Sequence, residues 1–210
     1  MKHRLPKITH ASKICIICEG DEEYDYLKSL IKLNVWNRQF DIELINSHGN
    51  GNVSARYQDA YQNNMYDMIF AFVDTDRNPY EQYNDIKNKI NSIFGNDVAS
   101  SHVVIFGNPC TMQIVLLHFK DILLKTANKS RNKSTIKELT GVEEYNAKKE
   151  KRNELFSLIT TDNYQTMKEN FHILSSNDYQ KNSSNFILLT NYLESKEKQW
   201  IKKITEQIDY

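Results

Sequence analysis

The sequence predicts an α/β fold: a mostly parallel four-stranded sheet flanked by helices, followed by a helical C-terminal portion. Three observations carry that prediction. Short apolar runs alternate with amphipathic stretches, the apolar runs are rich in β-branched residues, and no convincing strand follows residue 110. Strands separated by helical stretches read as βαβ units, and such units build parallel sheets.

The elements follow in order. Lys13 to Cys18 (KICIIC) is a continuous β-rich run, and Asp21 to Asn34 is a helix with Tyr24, Leu27, Leu30 and Ile31 at helical spacing. Phe40 to Ile45 is strand-like and Val53 to Asn63 helical. Met68 to Val73 (MIFAFV) is a fully apolar strand, Tyr80 to Phe94 is a helix carrying Ile86, Ile90 and Ile93 in register, and His102 to Phe106 makes the fourth strand. From Pro109 the pattern changes. Met112 to Leu124 reads as an apolar-faced helix, and charged segments with helical periodicity cover 136–139, 145–159, 164–174 and 186–208. Lys125 to Lys133 (KTANKSRNK) is the best candidate for a mobile loop. We therefore expect an α/β core over residues 1–110 and a helical extension over 111–210 packed on it, within one domain or as a core with an appendage.

Composition narrows the function classes. The 210 residues are 40% hydrophobic and 11% aromatic, with 27 basic against 27 acidic side chains, which is a folding chain rather than a disordered one. Zero net charge supplies no long-range pull on nucleic acid or membrane, so any polyanion site must be local. Three cysteines in a chain of this length are no disulfide framework and fit a reduced, cytoplasmic setting. The apolar run before Glu19 is too short for a signal sequence, and no stretch is long enough for a membrane span.

Ligands of open α/β sheets collect beyond the carboxyl ends of the strands, where loops diverge and helix N-termini point their N–H groups outward. Two acidic clusters stand there: Glu19, Asp21, Glu22, Glu23 and Asp25 after the first strand, and Asp74 and Asp76 after the third. Helix capping accounts for Asp21 and Glu22. It explains less about Glu19, Asp74 and Asp76, which directly follow buried-type sequence. Carboxylates held together at a sheet edge repel unless a cation neutralises them, and Mg²⁺ takes oxygen ligands while keeping waters for phosphates.

Ile16-Ile17-Cys18-Glu19-Gly20 followed by Phe72-Val73-Asp74-Thr75-Asp76 resembles the Toprim domain, whose strand-end Glu and Asp-x-Asp coordinate Mg²⁺ in topoisomerases, bacterial primases and OLD-type nucleases. Further along, Phe106-Gly107-Asn108-Pro109-Cys110, Leu116-Leu117-His118-Phe119, the loop Ser47 to Asn52 and Asn182-Ser183-Ser184 are similar to the signature of RloB/AbiLii-like proteins. These are small Toprim-type proteins associated with phage defence and often paired with a partner ATPase. The resemblance covers most of the chain and has two departures. Met112 stands where those relatives usually carry Glu. The first motif, Glu-Gly-Asp-Glu-Glu, is one residue shorter than their usual form and closer to OLD-type spacing, which would make Glu23 an additional ligand.

The resemblance implies a Mg²⁺- or Mn²⁺-dependent nuclease of an antiphage, abortive-infection system, with Glu19, Asp74 and Asp76 catalytic and Glu19, Glu23, Asp74 and Asp76 holding metal. Its substrate would be DNA or RNA and its partner an ATPase of the same system. Arg77, beside the Asp-x-Asp, and His48, in the Gly-rich loop, are candidates for touching phosphate. Basic residues outnumber acidic ones by nine to four between 125 and 152, and Lys129, Arg131 and Lys133 lead that stripe as substrate contacts. A solvated helix face would show the same stripe.

Other signals carry less. Gly49-x-Gly51 has Ser54 at the third glycine position, so it is no dinucleotide fingerprint. Cys15 and Cys18 face opposite sides of a strand, which argues against zinc. His118 fits a hydrogen-bonded core histidine. Two other functions stay open: a non-catalytic binding or regulatory module of a partner ATPase, favoured by Met112, and a small-molecule phosphatase.

Overall fold

The computed structural model describes residues 11–75 and 80–209. Among the described residues five strands form one sheet in the order β2-β1-β3-β4-β5. Strand β1 (Ser12–Cys18) is followed by helix α1 (Asp21–Leu33), β2 (Phe40–Asn46) by α2 (Asn50–Gln62), and β3 (Met68–Asp74) by α3 (Glu81–Phe94) and the short α4 (Ala99–Val103). Strand β4 (Val104–Asn108) leads into α5 (Thr111–Leu116), α6 (Lys129–Thr140), α7 (Lys149–Phe156) and α8 (Thr161–Asn170). The two-residue β5 (Ser183–Ser184), α9 (Phe186–Glu194) and α10 (Gln199–Ile208) complete the order.

Strands β1 to β4 are parallel, with Ile14 opposite Met68 and Asp74 opposite Gly107. Every residue of β3 is buried, the signature of a strand covered on both faces. The chain runs from β1 outward to β2 and then crosses back to β3 on the other side of β1. Crossovers in opposite directions put their helices on opposite faces: α2 packs on α3, while α1 packs on α5 and α7. The crevice at such a reversal lies beyond the ends of β1 and β3. One hydrophobic cluster runs from Ile14 to Ile208 and takes residues from both the α/β part and the helical part.

Four expectations need correction. The fourth strand starts at Val104, because Ala99–Val103 first makes a turn of helix. The helix expected through Leu124 stops at Leu116, where the buried Gln113 amide folds the chain back: its Nε2 donates to Ile122 O at 2.7 Å and its Oε1 accepts from Leu124 N at 2.7 Å. The segment expected to be a mobile loop contains the start of α6, capped by Asn128 Oδ1, which accepts from Arg131 N at 3.2 Å. A fifth strand exists, antiparallel to β4. It is short because Asn185 takes over the ladder with its side chain, accepting from Phe106 N and donating to Val104 O.

Candidate functional site

The ends of β1 and β3 are tied together by one carboxylate. Glu19 continues the ladder, its N–H donating to Phe72 O at 3.0 Å, and its Oε2 accepts from Asp74 N at 2.8 Å. Its carbonyl accepts from Gly49 N at 2.8 Å, which draws the glycine loop after β2 over the same edge, and the Asn50 amide lies against its carboxylate. Asp74 is 8% exposed, and its Oδ1 accepts both the N–H and the hydroxyl of Thr111, at 2.5 and 2.7 Å. Thr111 reaches it because β4 ends at Asn108, the chain turns through Pro109, and Gly107 leaves room for the backbone of Cys110 and Thr111 to pass close by.

Helix α1 brings the other carboxylates. Gly20 is extended at its N-cap, and Glu23 Oε2 accepts from Gly20 N at 3.0 Å, the reaching-back half of a capping box. Glu22 and Glu23 are nonetheless buried, at 6% and 4% exposure. Lys129 Nζ from α6 lies 2.9 Å from Glu22 Oε2, and Tyr145 donates its hydroxyl to the same oxygen at 3.2 Å. Glu22 Oε1 meets no donor among the described residues. Arg152 of α7 donates from Nε to Asp25 at 2.7 Å, from Nη2 to Asp21 at 3.1 Å and from Nη1 to Ala147 O.

These groups line a cleft of about 460 Å³ formed by Glu19, Gly20, Asp21, Glu22, Glu23, His48, Asp74, Lys129, Ala147 and Arg152. Burial, and after it the neighbouring Glu22, pushes the Glu23 carboxyl up to about 7. Burial opposes the charge of Lys129, but Glu22, with Asp74 and Glu23 behind it, outweighs that and raises its pKa. The acidic mouth is thus held together by cations of the C-terminal helices.

The structure brings Glu19, Glu23, Asp74, His48 and Lys129 to one cleft. His48 is exposed, in a left-handed conformation at φ 55° that Asn46 Oδ1 supports by accepting its N–H at 2.8 Å. Arg131 and Lys133 do not line the cleft; Arg131 is exposed on α6 and Lys133 pairs with Glu144 at 2.6 Å. Asp76 and Arg77 lie outside the described residues. Three residues that sequence reasoning left out of the site belong to it. Glu22 reads as a helix-capping acid and stands in the first turn of α1, Thr111 has no signal beyond following Asn-Pro-Cys, and Arg152 is one member of a long basic stripe. Among the described residues no three Asp, Glu, His or Cys groups form a ready metal site. The donor set still fits a hard cation, because Glu22 presents a buried carboxylate oxygen without a donor in a cleft that Glu19, Glu23 and Asp74 also line.

A model of the family described as RloB-like protein matches residues 14–204, from β1 to α10. The chain belongs to the RloB-like family. No curated protein and no solved structure matches it. The span of the RloB-like match takes in both the carboxylate edge and the helices that supply Lys129 and Arg152.

The cysteines and His118 lie outside the cleft in this RloB-like fold. Cys15, Cys18 and Cys110 are buried in the core, and burial holds Cys15 up to about 12. His118 is 1% exposed, 2.9 Å from the Tyr26 hydroxyl, and burial lowers its pKa to about 3, so it is a neutral core histidine. No helix among the described residues is long and apolar enough to cross a membrane.

Proposed function

We propose that this RloB-like chain is a metal-dependent phosphodiesterase, a nuclease acting on DNA or RNA in an antiphage, abortive-infection system of the cytoplasm, on a Toprim-type sheet. The observation that carries this reading is the junction of Glu19 and Asp74 at the reversal point between β1 and β3, with the unsatisfied oxygen of buried Glu22 beside it. Glu19, Glu23 and Asp74, with Asp76 from outside the described residues, would hold Mg²⁺ or Mn²⁺. When bound, the ion supplies neutralisation of the phosphodiester charge and a more acidic water.

The chain's own groups do the rest. Thr111 fixes the Asp74 carboxylate, and the Asp74 backbone fixes Glu19, so the two acids face the cleft in set orientations. In the metal-free chain burial and the neighbouring Glu22 hold the Glu23 carboxyl at about 7, a repulsion that a bound cation would relieve. Lys129 and Arg152 present cations at the cleft wall, where a substrate phosphate takes over part of their pairing with Glu22 and Asp21. Partner association with an ATPase of the same system belongs to this proposal.

The test is cleavage of labelled DNA and RNA with added Mg²⁺ or Mn²⁺. Glu19→Gln and Asp74→Asn should each lower the rate at least about a hundredfold. Equal activity of the variants and the wild type overturns the reading.

One observation favours a second reading, a binding or regulatory module of the ATPase without chemistry of its own. Met112 is 2% exposed in α5, and the acidic cluster already has Lys129 and Arg152 as counterions. On that reading no divalent ion binds at millimolar concentration by calorimetry.

A further inference from the structure

Beyond the carboxylate cleft, the same sheet edge carries aromatic rings that the proposed chemistry does not use. The loop over residues 175–182 lies across the carboxyl end of β4. Asn108, the residue after Asp74's partner Gly107, donates from Nδ2 to Asp178 O at 3.0 Å and to Gln180 O at 3.1 Å. Asp178 in turn accepts from Lys87 Nζ at 2.6 Å and from the Tyr83 hydroxyl at 2.9 Å. The loop is therefore anchored without help from its one large apolar side chain, Tyr179.

Tyr179 is 52% exposed, yet its ring is held on three sides. Its hydroxyl donates to Asn84 Oδ1 at 2.7 Å, Lys87 Nζ stands 5.3 Å from its centroid, and Tyr80 meets it edge-on at 5.7 Å and 73°. Tyr80 sits at φ 65°, ψ 30°, a left-handed conformation that costs an aromatic residue about 1 kcal/mol or more. Its hydroxyl lies 3.5 Å from Asn108 Nδ2. An exposed ring pinned in one orientation has already lost the side-chain entropy that stacking would cost. Lys87 is paired with Asp178, and Lys181, two residues beyond Tyr179, is exposed.

We infer that Tyr179, positioned by Tyr80 and Lys87, is a stacking platform for an unpaired nucleobase, so that the strand entering this edge is single-stranded nucleic acid. The inference rests on the phosphodiesterase reading for the neighbouring cleft. A duplex keeps its bases stacked on one another and offers such a ring only backbone, whereas an unpaired base gains roughly 1–3 kcal/mol from an aromatic face whatever its identity.

The test is fluorescence anisotropy of the full chain, with Ca²⁺ in place of Mg²⁺, on labelled oligothymidylate, oligouridylate and a mixed-sequence duplex. Tyr179→Ala should weaken single-strand binding by about tenfold or more and leave the weaker duplex binding within about twofold. Tyr179→Phe keeps the ring and should stay within about twofold of wild type on both. Tyr179→Trp guards against a misfolded alanine variant: it should retain binding and add an indole emission that oligothymidylate quenches. Unchanged binding by Tyr179→Ala, an equal loss on duplex, an unquenched indole, or no single-strand binding by the wild type each overturns the platform. The two proposals fail separately. Cleavage that depends on Glu19 with no effect of Tyr179 removes the platform alone, and a ring-dependent single-strand affinity without cleavage under Mg²⁺ or Mn²⁺ removes the nuclease alone.

Discussion

Thr111 holds Asp74 from the far side of the sheet edge, donating both its N–H and its hydroxyl to Asp74 Oδ1. A carboxylate that is 8% exposed is costly unless donors meet it, and a residue from the turn after β4 supplies two. The same contact fixes the direction in which Asp74 presents itself to the cleft. Thr111→Val keeps the shape and removes the hydroxyl. We expect Mn²⁺ affinity to fall by about tenfold or more, as loss of a group orienting a ligand does, and the fold to lose about 1–2 kcal/mol. Calorimetric titration and thermal melts of the variant check both, and unchanged affinity contradicts the role.

Arg152 joins α7 to the first turns of α1. Its guanidinium is almost fully covered and bonds Asp25, Asp21 and Ala147. Asp21 is more than half exposed, which screens that part of the pairing. Arg152→Met keeps the stem and should cost about 2–4 kcal/mol, because it leaves the largely covered Asp25 carboxylate without its counterion. Urea unfolding measures this, and a stability equal to wild type would show that the C-terminal helices do not brace the cleft.

Stability of the metal-free chain should depend on pH through Glu23. Its carboxyl sits at about 7 in the fold against an ordinary 4.5, so between those values the folded chain binds more protons than the unfolded one. The stabilisation is complete below about 4.5 and is lost as pH rises through about 7, a change of up to about 3 kcal/mol. Buried His118 contributes the opposite slope, since its pKa of about 3 makes the fold lose stability as pH falls below its ordinary 6.5. Melting Glu23→Gln beside wild type in EDTA from pH 5 to pH 8 separates the two. The variant should gain on wild type as pH rises, and a constant difference refutes the assignment.

Much of the edge was legible because the decisive acids directly follow buried strands. KICIIC and MIFAFV are apolar enough to be strands on pattern alone, and Glu19 and Asp74 are the positions where that pattern breaks. What surrounds them was not. Thr111 meets Asp74 across 37 residues of chain through a turn that has no periodicity. Helix α6 hides in a charged run because its charges find partners far away, Lys129 on Glu22 and Lys133 on Glu144. Residues 111–117 are buried on every side, so no polar face marks where α5 stops. Strand β5 is invisible to pattern because the Asn185 amide makes the ladder bonds an apolar strand would make with its backbone. Zero net charge likewise conceals an acidic edge closed by basic helices.

The proposed function requires the carboxylates of this edge to bind a divalent ion. Diffraction from crystals soaked in Mn²⁺, recorded to show the anomalous signal of manganese, tests it most directly. A peak within coordination distance of carboxylate oxygens of Glu19 and Asp74 is expected, with Lys129 moved from its 2.9 Å contact with Glu22. Crystals that diffract with millimolar Mn²⁺ and show no peak at the ends of β1 and β3 would contradict it.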